Sequence, residues 1–494
     1  MKPLLKATAI TGSAFFLNLV VNTLRAKLVA VYLGPSGVAA FAQINAFVTL
    51  VITLSSLGVT AAIVRFVAQY KAEKRFHDLK TLIVTCTLFV ILASGVTTLV
   101  LLILTPEVSL FIFGREALLL LIGISLLNIP ISVITNLGVS ILQGLKEIRL
   151  DAIMSVFSTV VTALLLVVLM LRFGLSGAVV GILLANYVTS AVFFYFLLQS
   201  LNKHLGAKFS ARLLGPKSQR FDMTTLRPLL GIAVASIIGG GAVNLADILV
   251  RSHLISKFGL STAGSVQPAL SFSSQYTSLL SGAVGTYAMP RLSELAHQLG
   301  QFRKVYNDYV RLLLILVTPA ACGLSILAKY LVPLLYSSKF GASAPLIPYQ
   351  SVADVLEFAF IGISGALLPL GRGKILLVIG TLIPFVYYLA FRLLIVHIGL
   401  RGIPVASGLS WIITGIVTYL VMKLMFNMAI DLRNHFLIVN SVATAIIIGL
   451  IANHLSIIYG LPLAGVVMLV WASANIRIQE LQAAYNWTRQ RLAQ

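Results

Sequence analysis

Residues 152–171 read AIMSVFSTVVTALLLVVLML, residues 172–177 RFGLSG, and residues 178–199 AVVGILLANYVTSAVFFYFLLQ. A helix crosses the roughly 30 Å of bilayer hydrocarbon with about 20 apolar residues, and each long run supplies that length without a charged residue. The stretch therefore reads as two membrane spans joined by a short turn.

The rest of the chain repeats this pattern. Of its 494 residues 59% are hydrophobic and 10% charged, and the mean hydropathy is +1.00. A soluble fold cannot bury that much apolar surface. The apolar runs are continuous rather than alternating, which excludes an outer-membrane barrel. Met1 to Lys6 leads into about 25 residues of span, too long for the apolar region of a cleaved signal peptide. Cys86 and Cys322 both lie in apolar runs and read as small core residues.

Breaks of turn and charge place spans at 7–32, 39–64, 81–104, 117–143, 152–171, 178–199, 228–256, 265–290, 312–328, 345–370, 375–396, 403–422, 436–453 and 460–474. The expected fold is an all-α polytopic membrane protein of about 14 transmembrane helices. With an even number of spans both termini share one side. Loops on that side carry 26 Lys and Arg residues and the opposite loops carry 6, so both termini are expected in the cytoplasm. The net charge of +22 is then topology signal and contact with anionic membrane lipids, and nucleic acid is not expected as a partner.

A polar stretch rich in Lys and Arg divides the chain after the sixth span. An offset of 226 superposes Asn18 on Asn244, Arg25 on Arg251, Arg65 on Arg291 and Phe76 on Phe302. A shift to 227 adds Phe113-Gly114 on Phe340-Gly341, and one to 225 adds Gly174-Leu175 on Gly399-Leu400. The expected organisation is a six-helix lobe at 1–200, a basic cytoplasmic linker at 201–227, a repeat-related six-helix lobe at 228–425, and two additional spans with a cytoplasmic tail at 426–494. Parallel lobes of six spans suggest a V-shaped transporter with a cavity that opens to each side in turn.

Charged and strongly polar residues at bilayer depth are functional candidates, because they are costly unless they face protein or water. Asn18, Asn22 and Arg25 share one face of the first span. Asn244, Asp247 and Arg251 repeat the spacing on the seventh, so the two stripes are expected to face each other. Arg25 and Arg251 could grip one anion from both sides, a guanidinium binding phosphate oxygens bidentately; structural pairing or snorkelling is the alternative. Arg65 and Arg291 stand where spans meet the cytoplasm, as anchors or as a phosphate entry. Asp354 and Glu357 lie one turn apart in the tenth span, where Asn128 is the equivalent of Asp354. They are candidates for H⁺ or Na⁺ coupling together with Asp247, the alternative being a salt bridge to Arg392 or Arg372. Ser271, Ser274, Ser278 and Ser281 form a stripe expected to serve close helix packing. The histidines show no metal spacing and no phosphate-binding Walker loop occurs, so no cofactor is expected.

Tyr32-Leu33-Gly34-Pro35-Ser36-Gly37, Arg65-Phe66-Val67-Ala68-Gln69-Tyr70, and Ser338-Lys339-Phe340 followed by Asp354 resemble, in order and spacing, the Wzx-type polysaccharide-transport flippases. These belong to the multidrug/oligosaccharidyl-lipid/polysaccharide exporter superfamily. The likeness is strongest to lipid III flippases of enterobacterial common antigen synthesis and to O-antigen translocases, and covers roughly residues 1 to 425. The resemblance implies alternating-access translocation of an undecaprenyl-pyrophosphate-linked glycan across the bacterial inner membrane for polysaccharide biosynthesis. A polysaccharide polymerase is a possible partner. A drug or metabolite antiporter of the same superfamily is the second reading and a membrane glycosyltransferase the third. Four basic against three acidic residues within the spans favours an anionic cargo.

Overall fold

The computed structural model describes residues 2–56, 58–114, 116–205 and 223–476. The basic linker and the tail beyond residue 476 lie largely outside the described residues. Helices α1 (Lys2–Ser55), α2 (Val59–Ala72), α3 (Phe76–Ile103), α4 (Thr105–Phe113), α5 (Leu119–Leu126), α6 (Asn128–Gly144) and α7 (Ile148–Leu205) precede the linker. After it come α8 (Met223–Ser265), α9 (Gln267–Glu294), α10 (Leu299–Leu335), a 3₁₀ turn at Ser338–Leu346, α11 (Ile347–Ser364) and α12 (Gly373–Ile398). The series ends with α13 (Gly402–Phe426), α14 (Leu432–His454) and α15 (Ile457–Asn475). No strand occurs among the described residues.

Nine helical stretches among the described residues are long and apolar enough to cross a bilayer, three of them 44, 58 and 54 residues long. A straight helix of the length of α7 would extend about 87 Å, nearly three hydrocarbon thicknesses. It reverses instead at Gly174, which takes φ 57° and ψ −134°. The stretch Gly373–Phe426 reverses at Gly399 with φ 59° and ψ −141°. L-residues with a Cβ rarely adopt this conformation. Close approach follows from the next small residue. A Cβ on Gly177 would stand 2.0 Å from the Leu169 carbonyl oxygen, and one on Gly402 2.9 Å from the Ile395 nitrogen. Paired spans joined by glycine turns make this an all-α polytopic membrane protein, as the apolar runs predict.

The chain forms two compact units. Unit 1 comprises Met1–Gly264 with Leu335–Ser337, and unit 2 comprises Ser265–Leu334 with Ser338–Gln494. The division falls one helix beyond the linker, so α8, which the repeat register assigns to the second half, packs in unit 1. Single polar side chains hold it there. Gln43 on α1 is fully buried and donates its amide to Ile112 O at 3.0 Å and Ile248 O at 3.3 Å, joining α1 to α4 and α8. Ser252 donates to Phe111 O at 2.8 Å.

In unit 2 the core gathers Phe302, Tyr306, Phe358 and Trp471, all with no more than 1% of their surface exposed. The last two helices belong to this core. Trp471 Nε1 donates to Ser441 Oγ at 3.1 Å. Asn434 Nδ2 donates to both the backbone and side-chain oxygens of Asn307 at 2.9 Å, and the Asp431 amide donates to Asn307 Oδ1 at 2.8 Å. Arg311, buried on α10, donates to Asn475 O. A buried amide left without such partners would cost about 1–3 kcal/mol, so these bonds fix α14 and α15 against α10.

Candidate functional site

Unit 1 carries three of the four candidate arginines, Arg25, Arg65 and Arg251. On α1, Asn18 donates through Nδ2 to Ser155 Oγ on α7 at 2.8 Å, while its Oδ1 is buried with no hydrogen-bond partner. Two turns further along, Arg25 is half-buried and makes no hydrogen bond, ion pair or ring contact with any described residue. Asn22, half-buried, lies between them. A guanidinium removed from bulk water without a carboxylate or carbonyl partner is an open anion site.

The second stripe lies on α8, also in unit 1. Asn244 Nδ2 reaches Thr53 Oγ1 at 3.4 Å, and Arg251 Nη1 reaches Ala42 O at 3.4 Å. Both contacts are long and weak. Asp247 is exposed, and no ion pair within 4.0 Å closes between it and Arg251. The two stripes expected on separate halves thus share one unit, because α8 packs against the part of α1 that follows Gly34.

Arg65 is exposed on α2. Arg291, its repeat counterpart on α9, is paired with Glu294 at 2.9 Å on an exposed surface. Beyond α2, Arg75 bridges Glu73 at 3.2 Å and Asp78 at 2.7 Å. A hydrogen bond from Gln69, then the Arg75 guanidinium, holds the Glu73 carboxyl below the usual carboxylate range.

Unit 2 carries the other two candidate carboxylates, Asp354 and Glu357. Asp354 on α11 is completely buried. It accepts hydrogen bonds from Ser273 Oγ at 2.6 Å, Tyr276 OH at 2.5 Å and Gln350 Nε2 at 2.9 Å. All three donors are neutral. The alternative of a salt bridge to Arg372 or Arg392 is not realised: Arg372 stacks over the Phe426 ring at 5.3 Å, and hydroxyl and amide dipoles meet the Asp354 charge in place of a cation. Glu357, one turn on, is half-buried and makes no hydrogen bond or ion pair with a described residue. In unit 1 the register equivalent Asn128 is buried and accepts from Asn186 Nδ2 at 3.0 Å.

Sequence reading missed Ser273, Tyr276 and Gln350. Gln350 was accessible in principle, since it precedes Asp354 by one helical turn. The serine stripe on α9 corrects a different expectation. Ser274 and Ser278 are exposed, bonded back to the carbonyls of Ser271 at 3.1 Å and Gln275 at 3.0 Å. The packed face of α9 is Ser273, Tyr276 and Thr277, so Ser274 and Ser278 do not serve close packing, while Ser271 and Ser281 are half-buried.

Residues 28–345 match the model of a family described as polysaccharide biosynthesis protein. The chain belongs to that family. The chain is also similar to the lipid III flippase of Escherichia coli (strain K12), 23% identical over 357 residues, which are 72% of this chain and 82% of the flippase. Two solved structures share the fold. The lipid II flippase MurJ in an inward closed conformation superposes with a TM-score of 0.69 at 16% identity, covering 95% of this chain and 98% of MurJ. An inward-facing multidrug resistance MATE transporter of the MOP superfamily gives 0.68 at 17% identity, covering 85% and 98%. The family resemblance in the sequence motifs therefore stands.

Proposed function

We propose that the protein is a flippase that moves a polyprenyl pyrophosphate-linked oligosaccharide between membrane leaflets by alternating access, without covalent chemistry. The observation that carries this reading is Arg25, a half-buried guanidinium on a membrane helix with no protein partner. Phosphate oxygens satisfy such a group bidentately. Asn18, whose Oδ1 is buried without a partner, Asn22, Asn244 and Arg251 extend the polar surface, Arg65 serves at its cytoplasmic approach, and Arg291 is the corresponding phosphate-entry residue of unit 2 in this reading. Membership of the polysaccharide biosynthesis family and likeness to a lipid III flippase support a lipid-linked glycan over a drug.

Asp354 and Glu357, with Asp247, couple transport to H⁺ or Na⁺ in this reading. Glu357 is the exchanging group, since Asp354 already accepts three hydrogen bonds. The protein works in a bacterial inner membrane with both termini cytoplasmic, beside a polysaccharide polymerase. The lobes at 1–200 and 228–425 arose by duplication, a view supported by the near-identical dihedrals of Gly174 and Gly399.

Purified protein in proteoliposomes carrying undecaprenyl-pyrophosphate-linked oligosaccharide tests the reading, with glycan exposure read by an external glycosidase. Wild type should expose the glycan, Arg25→Ala should not, and Arg25→Lys should recover a fraction. Undiminished flipping by Arg25→Ala would remove the anion site from the mechanism. Cysteines placed at Lys208 and Arg303 should be shielded from the periplasm and one at Ser109 should label; the reverse pattern would invert the orientation.

A further inference from the structure

Unit 2 contains a groove that the transport reading does not use. It holds about 250 Å³ among α11, α13 and α14. Its walls are apolar, formed by Val352, Leu356, Gly408, Ile412, Ile446 and Leu450. Ile412, Ile446 and Leu450 are 40%, 46% and 55% exposed, so the groove opens sideways on a membrane-spanning surface, where lipid is the solvent.

The polar groups lie at one end. Tyr349 stands near the start of α11, and Asn453 near the end of α14. Arg401, immediately before α13, stacks its guanidinium over the Tyr349 ring at 5.7 Å. Arg401 is exposed and takes part in no ion pair with a described residue. No acidic residue lines the groove. Away from this end, Leu356 on α11 and Ile446 on α14 each lie seven residues from Tyr349 and Asn453 respectively, which is two turns, or about 10 Å. One leaflet of hydrocarbon is about 15 Å deep. The groove thus has the depth of part of one leaflet, with one cation and two hydrogen-bonding side chains at headgroup level.

We propose that this groove binds an anionic glycerophospholipid, with an acyl chain between α11, α13 and α14 and its phosphodiester on Arg401. The single guanidinium complements a single phosphodiester charge, and the tyrosine and asparagine complement the ester and glycerol oxygens. The two-turn groove fits a chain that stays within one leaflet, which favours a bilayer lipid over the longer polyprenyl tail of a cargo. Since Val352 and Leu356 flank Asp354 in sequence and Leu356 adjoins Glu357, the bound lipid buttresses the helix that carries the carboxylates.

The test is photo-crosslinking of the full-length protein in phosphatidylcholine nanodiscs, using phosphatidylglycerol with a diazirine on its acyl chain. Mass spectrometry should find adducts in peptides spanning 404–412 and 446–453. Unlabelled phosphatidylglycerol should suppress them at concentrations at least tenfold below those required of phosphatidylcholine. Arg401→Ala should lower the labelling about tenfold and Arg401→Lys should keep most of it. Gly408→Leu should also abolish labelling, because its side chain grows into the groove from a Cβ position already 3.6 Å from Leu356 Cδ1. Circular dichroism verifies that each variant is folded; Ile412→Trp, at the open mouth, replaces Gly408→Leu if that variant does not fold. Unchanged labelling in Arg401→Ala, equal competition by phosphatidylcholine, or competition by undecaprenyl phosphate alone would each overturn the proposal, the last by assigning the groove to a polyprenyl tail.

Discussion

Unit 1 and unit 2 solve the same physical problem, a polar group inside a membrane protein, in opposite ways. Unit 2 encloses Asp354 completely and surrounds it with three donors. Unit 1 leaves Arg25, itself a donor, half-buried with no acceptor among the described residues. At the position of unit 1 in register with Asp354, a neutral Asn128 takes one side-chain amide from Asn186. A satisfied buried charge is held in place by its partners, whereas an unsatisfied one at the edge of solvent is prepared for something that arrives. Function is therefore to be sought where the hydrogen-bond inventory fails to close.

The largest effect that would break this contrast is expected at Asp354. Asp354→Ala leaves the Ser273 and Tyr276 hydroxyls without their acceptor and Gln350 with only its 3.3 Å bond to Ser273 Oγ, and should cost about 3 kcal/mol, measured by unfolding of the detergent-purified protein. Asp354→Asn keeps one acceptor oxygen and should cost less. An Asp354→Ala protein as stable as wild type would deprive the carboxylate of its scaffold role.

Arg25→Ala should do the reverse. With no partner to lose, the protein should melt within about 1 °C of wild type, yet flip lipid-linked glycan about 100-fold more slowly, equivalent to roughly 2.7 kcal/mol of charge-assisted bonding. A substantial loss of stability would show that Arg25 is structural after all.

The glycine turns sharpen the comparison at the backbone level. Gly174→Ala and Gly399→Ala should each destabilise by about 1–2 kcal/mol, because both force a Cβ into a positive-φ conformation. Clearly unequal costs in the two units would separate their shared dihedrals from a shared constraint. The smallest expected effect is at Asn186→Ala, which removes one neutral bond to Asn128 and should cost about 1 kcal/mol.

Much of the fold was legible because apolar length and glycine position are local signals. Gly174 lies in the middle of a turn between two uncharged runs, and its dihedral is what that position requires. The placement of α8 was not legible, because it depends on Gln43 reaching carbonyls 69 and 205 residues away. The neighbourhood of Asp354 was half legible: Gln350 shares its helix face, but Ser273 and Tyr276 come from α9, 81 and 78 residues earlier. On α9 the exposed serines suggested the wrong packed face. A displacement of one residue rotates a helix by about 100°, enough to exchange a packed surface for an open one. Arg25 was visible as an intramembrane cation, but its lack of a partner is a tertiary fact.

The bonds between Asn307 and Asn434 also impose an order on biosynthesis. Their side chains are separated by 127 residues, so at about 5–20 residues per second a ribosome needs roughly 6–25 seconds to deliver the second after the first. Throughout that interval the α10 surface that will receive α14 and α15 stands uncovered. The nascent chain must therefore hold this surface in lipid, or against insertion machinery, until its final helices arrive. Because Trp471 fills the core from the last of these helices, a chain released early would display an open core to the proteases of the membrane.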